Sequence, residues 1–228
     1  MGDLIVACEI LKDELEKARK DVGNEDPVIW MDSLLHMEPN RLREALQEVI
    51  DEHHQKADHI LLAYGNCGGG LVGLEAKETT LVIPKTADCI SLLLHKDKEV
   101  DHLRKNTYFL TKGWLRCEKN LISEYEHSLE KYGEEKAKQI FKVMLNHYEN
   151  LMLIDTGAYD VKKYRKIAEN IADKLEMNVT FKKGTPFILQ KILDKQWGPD
   201  FTQISPGGSI QLHDFDLDEE EKTYVNLI

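Results

Sequence analysis

Four cysteines, Cys8, Cys67, Cys89 and Cys117, are scattered through 228 residues, and three of them stand at or just past the end of a short apolar run: "LIVAC", "HILLAYGNC" and "TTLVIPKTADC". Three thiolates brought to one place would leave an open fourth position on a Zn²⁺ ion that activates a thiol or water, or one unliganded iron in an iron–sulfur cluster. No C-x-x-C pair imposes such a geometry locally, so the fold would have to create it. Two other readings stay open. Cys67 could be the thiolate of a metal-free cysteine enzyme, acyl-transferring or racemase-like, the latter with Cys8 facing Cys67 or Cys89. The same residues could instead serve as small buried hydrophobes. Cys117, in "GWLRCEKN" at the start of a helical stretch, reads as structural or exposed.

Cys67 sits inside "AYGNCGGGLVGL", where Gly68, Gly70 and Gly73 formally satisfy G-x-G-x-x-G. A dinucleotide fingerprint opens directly after the strand of the first βαβ unit, whereas here "GNC" intervenes and another unit precedes. The more general expectation is an anion site: Asn66 and the backbone of Gly68, Gly69 and Gly70 would meet a small anionic molecule at the start of a short helix, "LVGLEAKE". Lys112 in "YFLTKGW", Asp155 and Thr156 in "IDTGAYD", and Lys183, Gly184 and Thr185 in "FKKGTPF" also close apolar runs and complete the candidate ligand-binding set. The histidines considered read as solvated, with His36 in "DSLLHMEPNR" singled out as the one nearest a strand end.

The elements that must position these residues follow from hydrophobic periodicity. Short apolar runs alternate with longer amphipathic segments, which predicts an α/β fold with mostly parallel sheets flanked by helices. Strands are expected at "LIVACE", "PVIWMD", "HILLAYG", "TTLVIPK", "TYFLTK", "LMLIDTG", "NVTFKK" and "FTQISPG". In "EPNRLREALQEVIDEHHQKA", Leu42, Leu46, Val49 and Ile50 share a helix face, with Asn40 as the expected cap; Asp160 is expected to cap "VKKYRKIAENIADKLE". Helix breakage is expected near Gly133. The chain reads as one α/β unit or two packed halves, about 1–105 and 106–215, followed by an acidic tail. In open α/β sheets ligands bind beyond the carboxyl ends of the strands, where the chemistry-bearing residues of this chain also fall.

Composition narrows the partners. Lys and Arg number 30 against 41 Asp and Glu, for a formal charge of −11, so a nucleic-acid backbone would be repelled. Part of that excess lies in "DFDLDEEEK", which reads as a solvated tail. No apolar stretch approaches the roughly 20 residues a membrane helix needs. The opening "MGDLIVACEILKDEL" lacks the pattern of a secretory leader, and the wide cysteine spacing is unlike a disulfide framework, so a cytoplasmic protein with reduced thiols is expected.

Taken in order, "IVACEILKDEL", "AYGNCGGGLVGL", "IPKTADCISLLL", "TYFLTKGWL", "LMLIDTGAYD" and "DFTQISPGG" resemble the uncharacterised prokaryotic family called domain of unknown function 1638, from Leu4 to about Ser209. The resemblance implies that Cys8, Cys67 and Cys89 are the family's three cysteines. In that family His often precedes the Asp of the third cysteine segment. Ala87 stands there in this chain, which argues against a catalytic role for that His. The resemblance also implies a setting in corrinoid-linked anaerobic methyl metabolism, with a corrinoid protein or methyltransferase as partner, or a non-enzymatic accessory role beside them.

Overall fold

A computed structural model describes residues 2–217, so most of the acidic tail lies outside the described residues. The chain forms two compact units, one of Met1–His95 with Pro186–Ile228 and one of Lys96–Thr185. In chain order the first holds β1 (Leu4–Cys8), α1 (Lys12–Val22), β2 (Val28–Met31), α2 (Pro39–His53), β3 (His59–Ala63), β4 (Thr80–Pro84) and α3 (Cys89–Leu93). The second holds α4 (Val100–Arg104), β5 (Thr107–Leu110), α5 (Lys112–Arg116), α6 (Leu121–Tyr132), α7 (Glu134–Met144), β6 (Asn150–Asp155), α8 (Val161–Leu175) and β7 (Asn178–Lys183). The chain then returns to the first unit with α9 (Phe187–Leu193) and β8 (Phe201–Ile204).

The fold is α/β, and all eight expected strands form. The larger sheet has the order β2-β1-β3-β4-β8, parallel except for β8, which runs antiparallel to β4. β1 is paired on both sides and every one of its residues is buried, which explains its unbroken apolar run. Ile5, Ala7, Leu61 and Ala63 pack with Leu11, Leu15 and Ala18 of the α1 region and with Ile188, Leu189 and Ile192 of α9. α2 buries Leu42, Leu46 and Ile50 completely, each worth about 1.5–3 kcal/mol.

The second unit has the parallel sheet β5-β6-β7. Leu151 and Leu153 of β6 join Leu121 and Tyr125 of α6, Phe141 of α7 and Ala168, Ile171 and Ala172 of α8 in its core. Asp160 caps α8 by accepting from the Lys162 N–H, and Gly133, at φ 79°, separates α6 from α7. Among the described residues no helix is long and apolar enough to cross a membrane.

Two local expectations are corrected. Asn40 does not cap α2, because Pro39 already occupies a first-turn position with Glu38 ahead of it; the Asn40 side chain accepts from Arg43 instead. No helix follows the glycine run either. Cys67, Gly68, Gly69 and Gly73 all have positive φ, at 48°, 69°, 89° and 92°, so residues 67–73 form consecutive turns and any helix-dipole contribution to an anion site there is lost.

Candidate thiol site

Cys8 ends β1, and Cys67 lies four residues beyond β3. Cys89 opens α3 after β4, with Asp88 as its cap accepting from the Ser91 N–H. Since β1, β3 and β4 are consecutive in the sheet and parallel, all three cysteines reach the same edge. Beyond the regular ladder the β3 and β4 extensions stay joined: Asn66 N–H donates to Thr86 O at 2.9 Å and Cys67 N–H to Ala87 O at 2.8 Å. Gly65 is required here, because a Cβ at that position would stand 2.4 Å from the Asp88 Cα.

The electrostatics are those of a cluster of weak acids. Burial, then the Asp88 carboxylate and the Cys8 thiol, push the Cys67 thiol far up, while backbone N–H groups of Cys89 and Gly65 donating to its sulfur pull the other way. Tyr64 is 2% exposed, and its hydroxyl, which among the described residues has no hydrogen-bond partner of ordinary geometry, lies against the Cys8 thiol. Burial, followed by Cys8 and Cys67, holds its proton well above the usual phenol range. These surroundings favour the neutral thiol of Cys67 over the thiolate.

The donors suit a soft cation. They do not form a finished cage, for among the described residues no three His, Cys, Asp or Glu side chains are grouped so as to hold a metal ion. What the structure brings together is Cys8, Tyr64, Asn66, Cys67 and the Cys89 backbone, with Gly68–Gly70 following directly in the chain.

Arg43 of α2 was not anticipated. Its guanidinium donates to Gly69 O at 2.9 Å, and one turn on Gln47 both accepts from the Glu75 N–H at 2.8 Å and donates to Glu75 O at 3.3 Å. From the other side Gly73 and Ala76 donate to Ile210 O and Gly208 O. The glycine turns are thus clasped between α2 and residues 208–210. The regular spacing of Arg43 and Gln47 on the polar side of α2 was the one available signal.

The remaining candidates lie in the second unit. Lys112 begins α5 behind the Thr111 cap, and Thr156 is 3% exposed. Lys183 is not an unpaired cation: it forms an ion pair with Asp155, whose carboxyl pKa that bond lowers, and Gly184 N–H donates to Asp155 O. Thr185 closes this unit.

Several histidines are structural. His36 Nδ1–H donates to Ser33 O, and burial lowers its pKa. His95 stacks on Phe187 and lies 3.3 Å from Asp200, which also pairs with Lys191 at 2.5 Å. His59, which drew no notice in the sequence, bonds the buried Asp3 at 2.9 Å. Cys117 is buried at the end of α5 rather than at a helix start.

No curated protein matches this chain. The family match covers residues 30–193, shorter than the motif likeness from Leu4 to about Ser209, so that Cys67 and Cys89 fall inside it and Cys8 precedes it. Over that span the chain belongs to the family described as protein of unknown function (DUF1638).

Proposed function

We propose that the first unit carries a thiol centre, Cys8, Cys67 and Cys89, that binds a soft metal ion, Zn²⁺ ahead of an iron–sulfur cluster, beside a subsite for a small anionic molecule at Gly68–Gly70. The observation that carries this reading is the convergence of three thiol-bearing chain segments on one sheet edge, knitted by the Cys67–Ala87 bond and the Cys89 N–H on the Cys67 sulfur. Weak acids crowd there, so a positive charge is what would let the thiols ionise. A thiolate-bound zinc would supply Lewis acidity and keep an incoming thiol deprotonated, which suits group transfer to sulfur. Because the thiols are not preassembled, metal and local order should arrive together.

Strictly anaerobic purification followed by metal analysis tests this. Wild type should carry about one equivalent of zinc, or show the brown absorption of a cluster, and lose it in Cys8→Ser, Cys67→Ser and Cys89→Ser. Wild type holding less than about half an equivalent of any metal would sink the reading.

A second reading has one specific support: Cys67 holds a left-handed φ of 48° in "GNCGG", the kind of strain found at nucleophile turns. A metal-free nucleophile predicts turnover abolished by alkylating Cys67 and indifferent to chelators.

A further inference from the structure

Asn66 is 1% exposed, yet among the described residues neither the Nδ2 nor the Oδ1 of its side chain has a hydrogen-bond partner. A buried carboxamide unpaired at both ends is rare, because such groups forfeit hydration without replacement. Its backbone N–H is already used, donating to Thr86 O. Thr86 is itself 6% exposed, and its Oγ1 also has no hydrogen-bond partner among the described residues. Two and three residues beyond Asn66, the N–H groups of Gly68 and Gly69 make no backbone hydrogen bond among the described residues. Unmet donors and at least one unmet acceptor therefore accumulate along one short stretch of chain beside the thiols.

Their balance selects a ligand. Nδ2 and the two glycine N–H groups are donors, and a carboxylate or a phosphate would satisfy them. A simple carboxylate or a fully ionised phosphate ester would not satisfy Oδ1, which needs an incoming donor. A metal ion could engage Oδ1 and would leave the donors unmet. We propose that Asn66 is the recognition residue of a subsite for a small carboxylate that bears a neighbouring hydroxyl or amino group. The carboxylate takes the N–H donors, and the neighbouring group donates to Oδ1. This rests on the small-molecule half of the function proposed above and is independent of the metal.

Thermal melts of the full-length protein, zinc-loaded and chelator-treated, test it with three probes: glycolate, glycine and acetate. Near saturation glycolate or glycine should raise the Tm by about 5 °C or more, and acetate, which has no donor for Oδ1, by much less. Asn66→Leu should abolish that shift while leaving the ligand-free Tm unchanged or higher, since it removes unpaired polar atoms. Asn66→Ala carries the same readout should leucine fit poorly. The proposal is overturned if no probe shifts the Tm at millimolar concentration, or if acetate matches glycolate. It is also overturned if both variants melt lower without ligand, which would mean that buried water already satisfies the amide. Absence of zinc with a persisting glycolate shift would remove the metal reading alone, and a zinc-loaded protein blind to all three probes would remove this one alone.

Discussion

At the scale of single residues, the side chains that matter most are those whose surroundings reverse their ordinary behaviour. Cys67 is pushed toward the neutral thiol by burial and by Asp88, and His36 is pushed toward the neutral imidazole by burial, against the Ser33 carbonyl and Asp32. For His36 the consequence for stability has a definite sign. Its folded pKa lies below the ordinary 6.5, so as pH falls through about 6.5 the unfolded chain takes up the proton first and folding is weakened; above that pH the residue has no effect. The loss levels off once the folded imidazole titrates too. Urea midpoints measured at pH 7.5 and 5.5 should therefore fall less in His36→Gln than in wild type, and equal falls would refute it. The placement of the cysteines, Asn66 and the glycine run was legible because each closely follows an apolar run that must be a buried strand. Arg43 on Gly69 and His59 on Asp3 were not, since each is a contact across 26 or 56 residues that no local pattern encodes.

Elements show a different division. β1, β3, β4 and β6 could be read from sequence because two-sided burial demands continuous apolar runs, and α2 and α8 because one-sided burial demands spacing of three and four. The turn after β3 misled because glycines followed by "LVGLEAKE" satisfy helical composition, and only the dihedrals reveal the left-handed run. Direction was also hidden: the short "FTQI" gives no sign that β8 runs antiparallel. Two substitutions test this layer. Gly65→Ala would drive a Cβ to 2.4–2.6 Å from three backbone atoms of Asp88, which cannot swing aside as a side chain would, and should cost about 3 kcal/mol or more. It should also separate the Cys67 and Cys89 segments, seen as faster alkylation of Cys67. Glu176, which ends α8 in the left-handed region at φ 56°, offers the converse: Glu176→Gly should stabilise by about 0.5–1 kcal/mol in urea titration.

For the whole molecule the telling feature is that the first unit is discontinuous in sequence while the second is an uninterrupted stretch. α9 covers α1 through Ile188, Leu189 and Ile192, and β8 pairs the edge of β4, so the chain after Pro186 completes a sheet begun at Leu4. No shift in composition announces this return, because a strand that completes a distant sheet looks like one that completes a neighbouring one. The second unit, Lys96–Thr185, has its own three-stranded sheet and its own core. Expressed alone, residues 96–185 should show a cooperative thermal transition, read by the fluorescence of Trp114 half-buried against that core. A chain ended after Thr185 should behave oppositely in its first part. Without α9 the buried face of Leu11 and Leu15 is bared, and without β8 the β4 edge lies open. Trp30, packed against the first core, should then report an unfolded environment while Trp114 still reports a folded one. A truncated chain in which Trp30 keeps a native-like cooperative transition would show that the first sheet needs nothing beyond Thr185, and the discontinuous unit would have to be redrawn.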